Sequence, residues 1–275
     1  MHKSVFFNGE ILDAFDADIL AVSSAVLYSK GIFTTVAIYD GEVFLWEKHW
    51  QRLVHNAAKI GIDLSEHSEE TTRNALDELI AKNCVMNGRA RITFYDETPS
   101  EIWQSDISSG RKTSLSIITG ELRQIPKPFK LTISPYPVNS RSLLAGVKSC
   151  NYLENLMAYD EAKKRGFDEA IRLNERGHVT SACIANIFWL KDGHLYTPNL
   201  ASGCLAGTTR EFVIENLGCD EVEAGIDAIH SADAVFLTSA GLGITAIHEF
   251  DGRKLDPIPQ QIKDVEPRKN TKPRE

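Results

Sequence analysis

The dipeptide Asp40-Gly41 constrains this chain more than any other feature of its sequence. It lies between Ile32 to Tyr39 and Glu42 to Trp46, two stretches rich in β-branched and aromatic residues, and reads as a two-residue hairpin turn. A helix follows over Glu47 to Ile60, with Trp50, Leu53, Val54, Ala57 and Ile60 as its apolar stripe and Gly61 as its stop. Arg52 falls beside that stripe, where an arginine either snorkels to solvent or presents its guanidinium to an anion. A second helix is predicted over Ser68 to Lys82, with Glu69 and Glu70 suiting the positive end of its dipole. Strands at Ser4 to Phe7, Ala90 to Tyr95 and Thr113 to Ile118 complete a first α+β unit.

Gly120 to Lys127, polar and proline-bearing, reads as a linker. The domains expected from this are residues 1–119, a 120–127 connection, a larger C-terminal domain over 128–263 that carries Lys148, and a disordered polar tail over 264–275. Lys130 to Pro135, Glu169 to Asn174, Ile184 to Leu190, His194 to Tyr196 and Ala234 to Thr238 read as strands. A glycine-containing loop leads into a helix from about Thr208 to Gly218; its N-terminus can bind a phosphate, or its threonines can simply cap it. Gly241-x-Gly243 lacks the third glycine of a dinucleotide fingerprint.

Lys148 stands between Leu144-Ala145-Gly146-Val147 and a helix whose Leu153, Leu156, Met157 and Tyr159 recur at helical spacing, with Gly166 as its stop. A lysine there is either an ordinary surface cation or, where desolvated, an amine whose lowered pKa makes it a nucleophile toward carbonyls. The bulk numbers narrow the class. With 275 residues, 43% hydrophobic and 25% charged, the chain is globular. A net charge of −8 excludes nucleic acid as its main partner. No apolar run reaches the roughly 20 residues of a membrane span, and Met1-His2-Lys3 opens no signal peptide. Five scattered cysteines without a CxxC fit reduced thiols in a cytoplasm and give no metal site.

Four motifs in order carry a resemblance across Phe6 to Phe250: GIFTTVAIYDGEVFLWEKHWQRL, Lys148 with its surroundings, VTSACIANIFWLKDGHLYTP, and LAGTTR. Together they resemble the class IV, fold-type IV pyridoxal-phosphate enzymes, which include branched-chain and D-amino-acid aminotransferases and aminodeoxychorismate lyase. The resemblance implies a two-domain α+β fold, pyridoxal 5'-phosphate as cofactor, a small amino-acid-like substrate and a homodimer. It implies that Lys148 holds the cofactor covalently and shuttles the proton, and that Arg52 clamps the phosphate with Thr208 and Thr209. Tyr152 would reach the phenolic oxygen, its other reading being a core aromatic.

The chain also departs from the family. The usual Val-Thr-Glu is here Val179-Thr180-Ser181, so a hydroxyl replaces the carboxylate that keeps the ring nitrogen protonated. Amino-group exchange would suffer more than rapid elimination. Alternatively, a nearby residue replaces the carboxylate, or the enzyme is impaired. Phe33-Thr34-Thr35 resembles the lyase's F-T-T, which makes Thr35 a catalytic candidate or a plain strand residue. Against the lyase, Tyr152 stands where it usually has arginine, and the loop DETPSEIW is acidic. Ser239-Ala240 occupies the last phosphate contact, and Tyr28, Lys30 and Arg141 are the candidates for substrate binding. The expected activity is thus a lyase releasing 4-aminobenzoate and pyruvate, as in folate biosynthesis. The alternatives are an aminotransferase on branched-chain or D-amino acids, and a catalytically silent homologue.

Overall fold

A computed structural model describes residues 1–101, 104–105 and 112–265. Ile102 and Trp103 of the acidic loop, and residues 266–275 of the predicted tail, lie outside the described residues. The chain divides into two compact units. The first comprises Met1–Leu122 together with Val147–Asn151; the second takes Arg123–Gly146 and resumes at Tyr152. The strand Thr113–Glu121 runs into the segment read as a linker. Lys148, grouped above with the C-terminal domain, lies in the first unit, because its segment pairs with the strand Gly31–Tyr39.

In the first unit six of the described strands form an antiparallel sheet in the order Glu10–Asp13, Ser4–Phe7, Thr113–Glu121, Gly88–Asp96, Gly31–Tyr39, Glu42–Val43. The hairpin forms at Asp40-Gly41, both at positive φ (52° and 82°), as a turn matching the strand twist requires. The helices Trp46–Ile60 and Glu69–Lys82 supply Leu53, Ala57, Leu76 and Leu79 to a core completed by Ile32, Val36, Ile92 and Phe94. Val54, expected on the stripe, is 45% exposed. Gly61 at φ 71° ends the first helix and Ser68 caps the second through the Thr71 N–H.

In the second unit, Lys130–Ile133 runs parallel to both Glu169–Leu173 and Glu249–Phe250, with Val179–Ala182 and Arg253–Lys254 at the edges. Another five-stranded sheet runs Asp220–Val222, His194–Pro198, Asn186–Lys191, Ala234–Ser239, Gly243–Ala246. The helix after Lys148 spans Leu153–Lys164. The apolar residues read as its buried stripe are largely outside: Leu153 is 63%, Leu156 49% and Met157 53% exposed. The helix packs instead through Ala158 and Ala162, which join a cluster with Ala170 and Cys183 and leave no depth for a leucine. Among the described residues no helix is long and apolar enough to cross a membrane.

Candidate active site

Lys148 is held from both sides by backbone. Phe33 N–H donates to the Lys148 carbonyl at 3.0 Å, and Cys150 N–H donates to the Gly31 carbonyl at 2.8 Å. This close approach explains the glycine: a Cβ at Gly31 would sit 2.9 Å from Cys150 Sγ and 3.0 Å from the Phe94 carbonyl oxygen. The Lys148 amine lies 4.4 Å from the centre of the Phe33 ring. Desolvation first, then the fields of Arg52 and Arg91, hold its pKa well below that of an ordinary lysine. The surface-cation reading therefore gives way to a desolvated amine of lowered pKa.

Arg52 reaches inward from the helix Trp46–Ile60, donating from Nη2 to Thr34 Oγ1 at 2.8 Å. The same hydroxyl lies 2.7 Å from Nδ1 of His49, which is 1% exposed. Burial, then Arg52 and Lys148, push the His49 pKa well below 6.5. The imidazole is therefore neutral at pH 7, with Nδ1 as acceptor from Thr34 and Thr34 as acceptor from Arg52. This relay links three residues one helical turn and one strand apart.

Arg91 is a site residue that the sequence did not single out. It faces Thr35 across the paired strands, and its guanidinium lies 3.5 Å from the Phe33 ring centre. Its Nε donates to Thr93 Oγ1 at 3.2 Å, and its side chain hydrogen-bonds the Cys150 thiol. The strand alternation that sets Phe33, Thr35, Arg91 and Thr93 on one face was the available signal. Among the substrate candidates, Lys30 is committed to a 2.6 Å ion pair with Asp96, whose side chain is 6% exposed. That ion pair ties the Lys30 ammonium to the strand Gly88–Asp96. Tyr28, 42% exposed, ends the short helix Ser24–Tyr28. Thr35 is half-buried.

The second unit holds the remaining candidates. Thr208 and Thr209, each 4% exposed, open the helix Thr208–Leu217 behind Gly207. Asn186 donates to the Leu205 carbonyl at 2.8 Å, and a Cβ on Gly207 would meet Asn186 Oδ1 at 2.0 Å. Asn186 thus clasps the loop and demands glycine at its end. Ser181 lies directly across the strand pair from Arg172. Its hydroxyl is 3.5 Å from Thr180 Oγ1. Ser239 accepts the Leu242 N–H at 3.2 Å, Tyr152 precedes the helix Leu153–Lys164, and Arg141 is exposed in a turn. Among the described residues, no three His, Cys, Asp or Glu are placed to hold a metal.

The desolvated lysine amine and inward arginine of the first unit suit an aldehyde and an anion, and the glycine-led helix N-terminus of the second unit suits a phosphate, each taken by itself. The profile of the family described as Amino-transferase class IV matches residues 31–250. The chain belongs to this family of pyridoxal-phosphate enzymes of fold type IV, and it is an aminotransferase or lyase of that class. A putative branched-chain-amino-acid aminotransferase of Methanocaldococcus jannaschii is 29% identical over 92% of this chain and 89% of its own. The aminodeoxychorismate lyase of Bacillus subtilis is 28% identical over 87% and 84%. The branched-chain aminotransferase of Thermoproteus uzoniensis, solved with norvaline, superposes with a TM-score of 0.87 at 29% identity, over 96% and 93% of the two chains.

Proposed function

We propose that the protein is a pyridoxal-phosphate lyase of the aminodeoxychorismate type, releasing 4-aminobenzoate and pyruvate. The observation that carries this reading is Ser181, a hydroxyl with a cation across the strand instead of a carboxylate. When bound, the cofactor supplies an electron sink for charge developing at the substrate Cα. The chain's own residues supply the rest. Lys148, its pKa lowered by desolvation, would attach the cofactor and then take the Cα proton. Arg52, oriented by Thr34, would bind the phosphate from the first unit, and the N–H groups at Thr208 and Thr209 are the phosphate-binding groups the second unit would offer. Ser239 would assist with the phosphate, Tyr152 would serve the phenolic oxygen and Ser181 the ring nitrogen. Arg91, flat on Phe33, takes a substrate carboxylate, with Thr35 beside it on the same face.

A second copy of the chain is proposed to cover Phe15, Ile19, Leu20, Val22, Val26 and Leu27, which are 39–94% exposed in one stretch of the first unit. The second reading, an aminotransferase on branched-chain or D-amino acids, is supported by the similarity to the Methanocaldococcus jannaschii relative over 92% of the chain. Incubation with 4-amino-4-deoxychorismate, following 4-aminobenzoate and pyruvate, tests the first reading. A parallel panel of L- and D-amino acids with 2-oxoglutarate, following glutamate, tests the second. Glutamate formation without 4-aminobenzoate would replace the lyase by the aminotransferase.

A further inference from the structure

Arg172 belongs to the strand Glu169–Leu173 and is the register partner of Ser181 on Val179–Ala182. Directly opposed residues on antiparallel strands project from the same face, with Cβ atoms about 5 Å apart. Arg172 is 3% exposed, so its charge is held inside the unit. Its Nε donates to the Tyr136 carbonyl at 3.3 Å and its Nη2 to the Pro137 carbonyl at 3.0 Å. Those acceptors orient the guanidinium without cancelling its charge. The carboxylate paired with it is Glu154, at 3.8 Å and 82% exposed, a long contact that water screens. Glu169 lies three residues away, on the opposite face by strand alternation, and accepts the Ala170 and Cys183 N–H groups. The Arg172 carbonyl accepts from Thr180 Oγ1 at 3.0 Å, which ties the two strands together next to Ser181.

Resting on the reading that Ser181 serves the ring nitrogen, we propose that Arg172 is a positioning residue for that interaction. Its positive charge keeps the cofactor's ring nitrogen unprotonated, with the Ser181 hydroxyl donating to it, and it would capture any carboxylate placed at position 181. The two residues then act as a pair: a cation disfavours a second positive charge nearby, and a hydroxyl gives the nitrogen a donor in place of an acid. One consequence runs against intuition. Restoring the family's acid alone, by Ser181→Glu, does not restore a protonated ring, because the new carboxylate bonds to Arg172. Removing the cation as well does.

The experiment is ¹⁵N NMR of the holoenzyme reconstituted with ¹⁵N-labelled pyridoxal 5'-phosphate, where protonated and neutral pyridine nitrogens resonate far apart. The wild type and Ser181→Glu are expected to show the neutral signal, and Ser181→Glu with Arg172→Met the protonated one. Ser181→Glu with Arg172→Lys, which keeps the charge, is expected to stay neutral. A protonated signal in Ser181→Glu alone would overturn the proposal while leaving Ser181 at the nitrogen. Ser181→Ala decides the underlying reading separately. Loss of the donor shifts the wild-type resonance if the serine faces the nitrogen, and an unmoved resonance overturns both. Because Ser181→Glu and Ser181→Ala leave Arg172 in place, the test survives a double variant that fails to fold.

Discussion

At the scale of single residues, the site is a set of charges steered by neutral neighbours. Thr34→Val removes the hydroxyl that accepts from Arg52 and meets His49. A hydrogen bond to a charged group is worth about 1.5–3 kcal/mol, so cofactor affinity should fall by roughly 10- to 100-fold in an equilibrium titration. Lys148→Ala should abolish the lysine-linked visible absorbance and lower turnover by at least about a thousandfold, which single-turnover assays would register. Lys148 and Arg52 stand out as candidates in the sequence because each sits in a motif whose landmarks follow the family's order. Arg91 and Arg172 were not, because an arginine in a strand looks the same from sequence whether it faces water or a ring. The ion pair of Lys30 was hidden for a related reason: its partner Asp96 is 66 residues away along the chain, and only the antiparallel pairing of their strands brings them together.

At the scale of elements, a buried acid locks two strands of the second unit. Glu169 is fully buried, and desolvation pushes its carboxyl up to about 7, against hydrogen bonds from Ala170 and Cys183 that pull the other way. Unfolded, it titrates near 4.3, so the native state holds its proton more tightly. This contribution is complete below about pH 4 and is lost as pH rises through 7 and beyond. The difference is worth about 4 kcal/mol. Thermal melts from pH 5 to 8.5 should show wild-type stability declining, and Glu169→Gln should flatten that decline. Gly207→Ala would place a methyl against Asn186 and should loosen the loop ahead of Thr208. Phosphate-ester binding should weaken there while the melting temperature falls by only a few degrees. Most strands and helices were readable from alternation, glycine stops and the hairpin turn. The burial of the helix Leu153–Lys164 was not, since periodicity marks an apolar face without saying what covers it.

At the scale of the whole molecule, the cofactor is also a stabiliser. Pyridoxal 5'-phosphate at a hundred times its dissociation constant should add about 2.7 kcal/mol, visible as a raised melting temperature, and Lys148→Ala should lose most of that gain. Light scattering on the purified protein should give twice the chain mass, and Val26→Asp with Leu27→Asp should halve it. The chain enters the second unit after Leu122, returns for Val147–Asn151 and leaves again at Tyr152. Five residues of one unit are thus delivered by a loop of the other. A nascent chain that has synthesised its first 122 residues owns the six-stranded sheet and the helices packed on it but not its amine. The reactive group arrives only after another 25 residues have been made, so neither a fragment cut at residue 122 nor its complement carries the lysine in its own setting. Chemical competence is thereby withheld until most of the polypeptide exists.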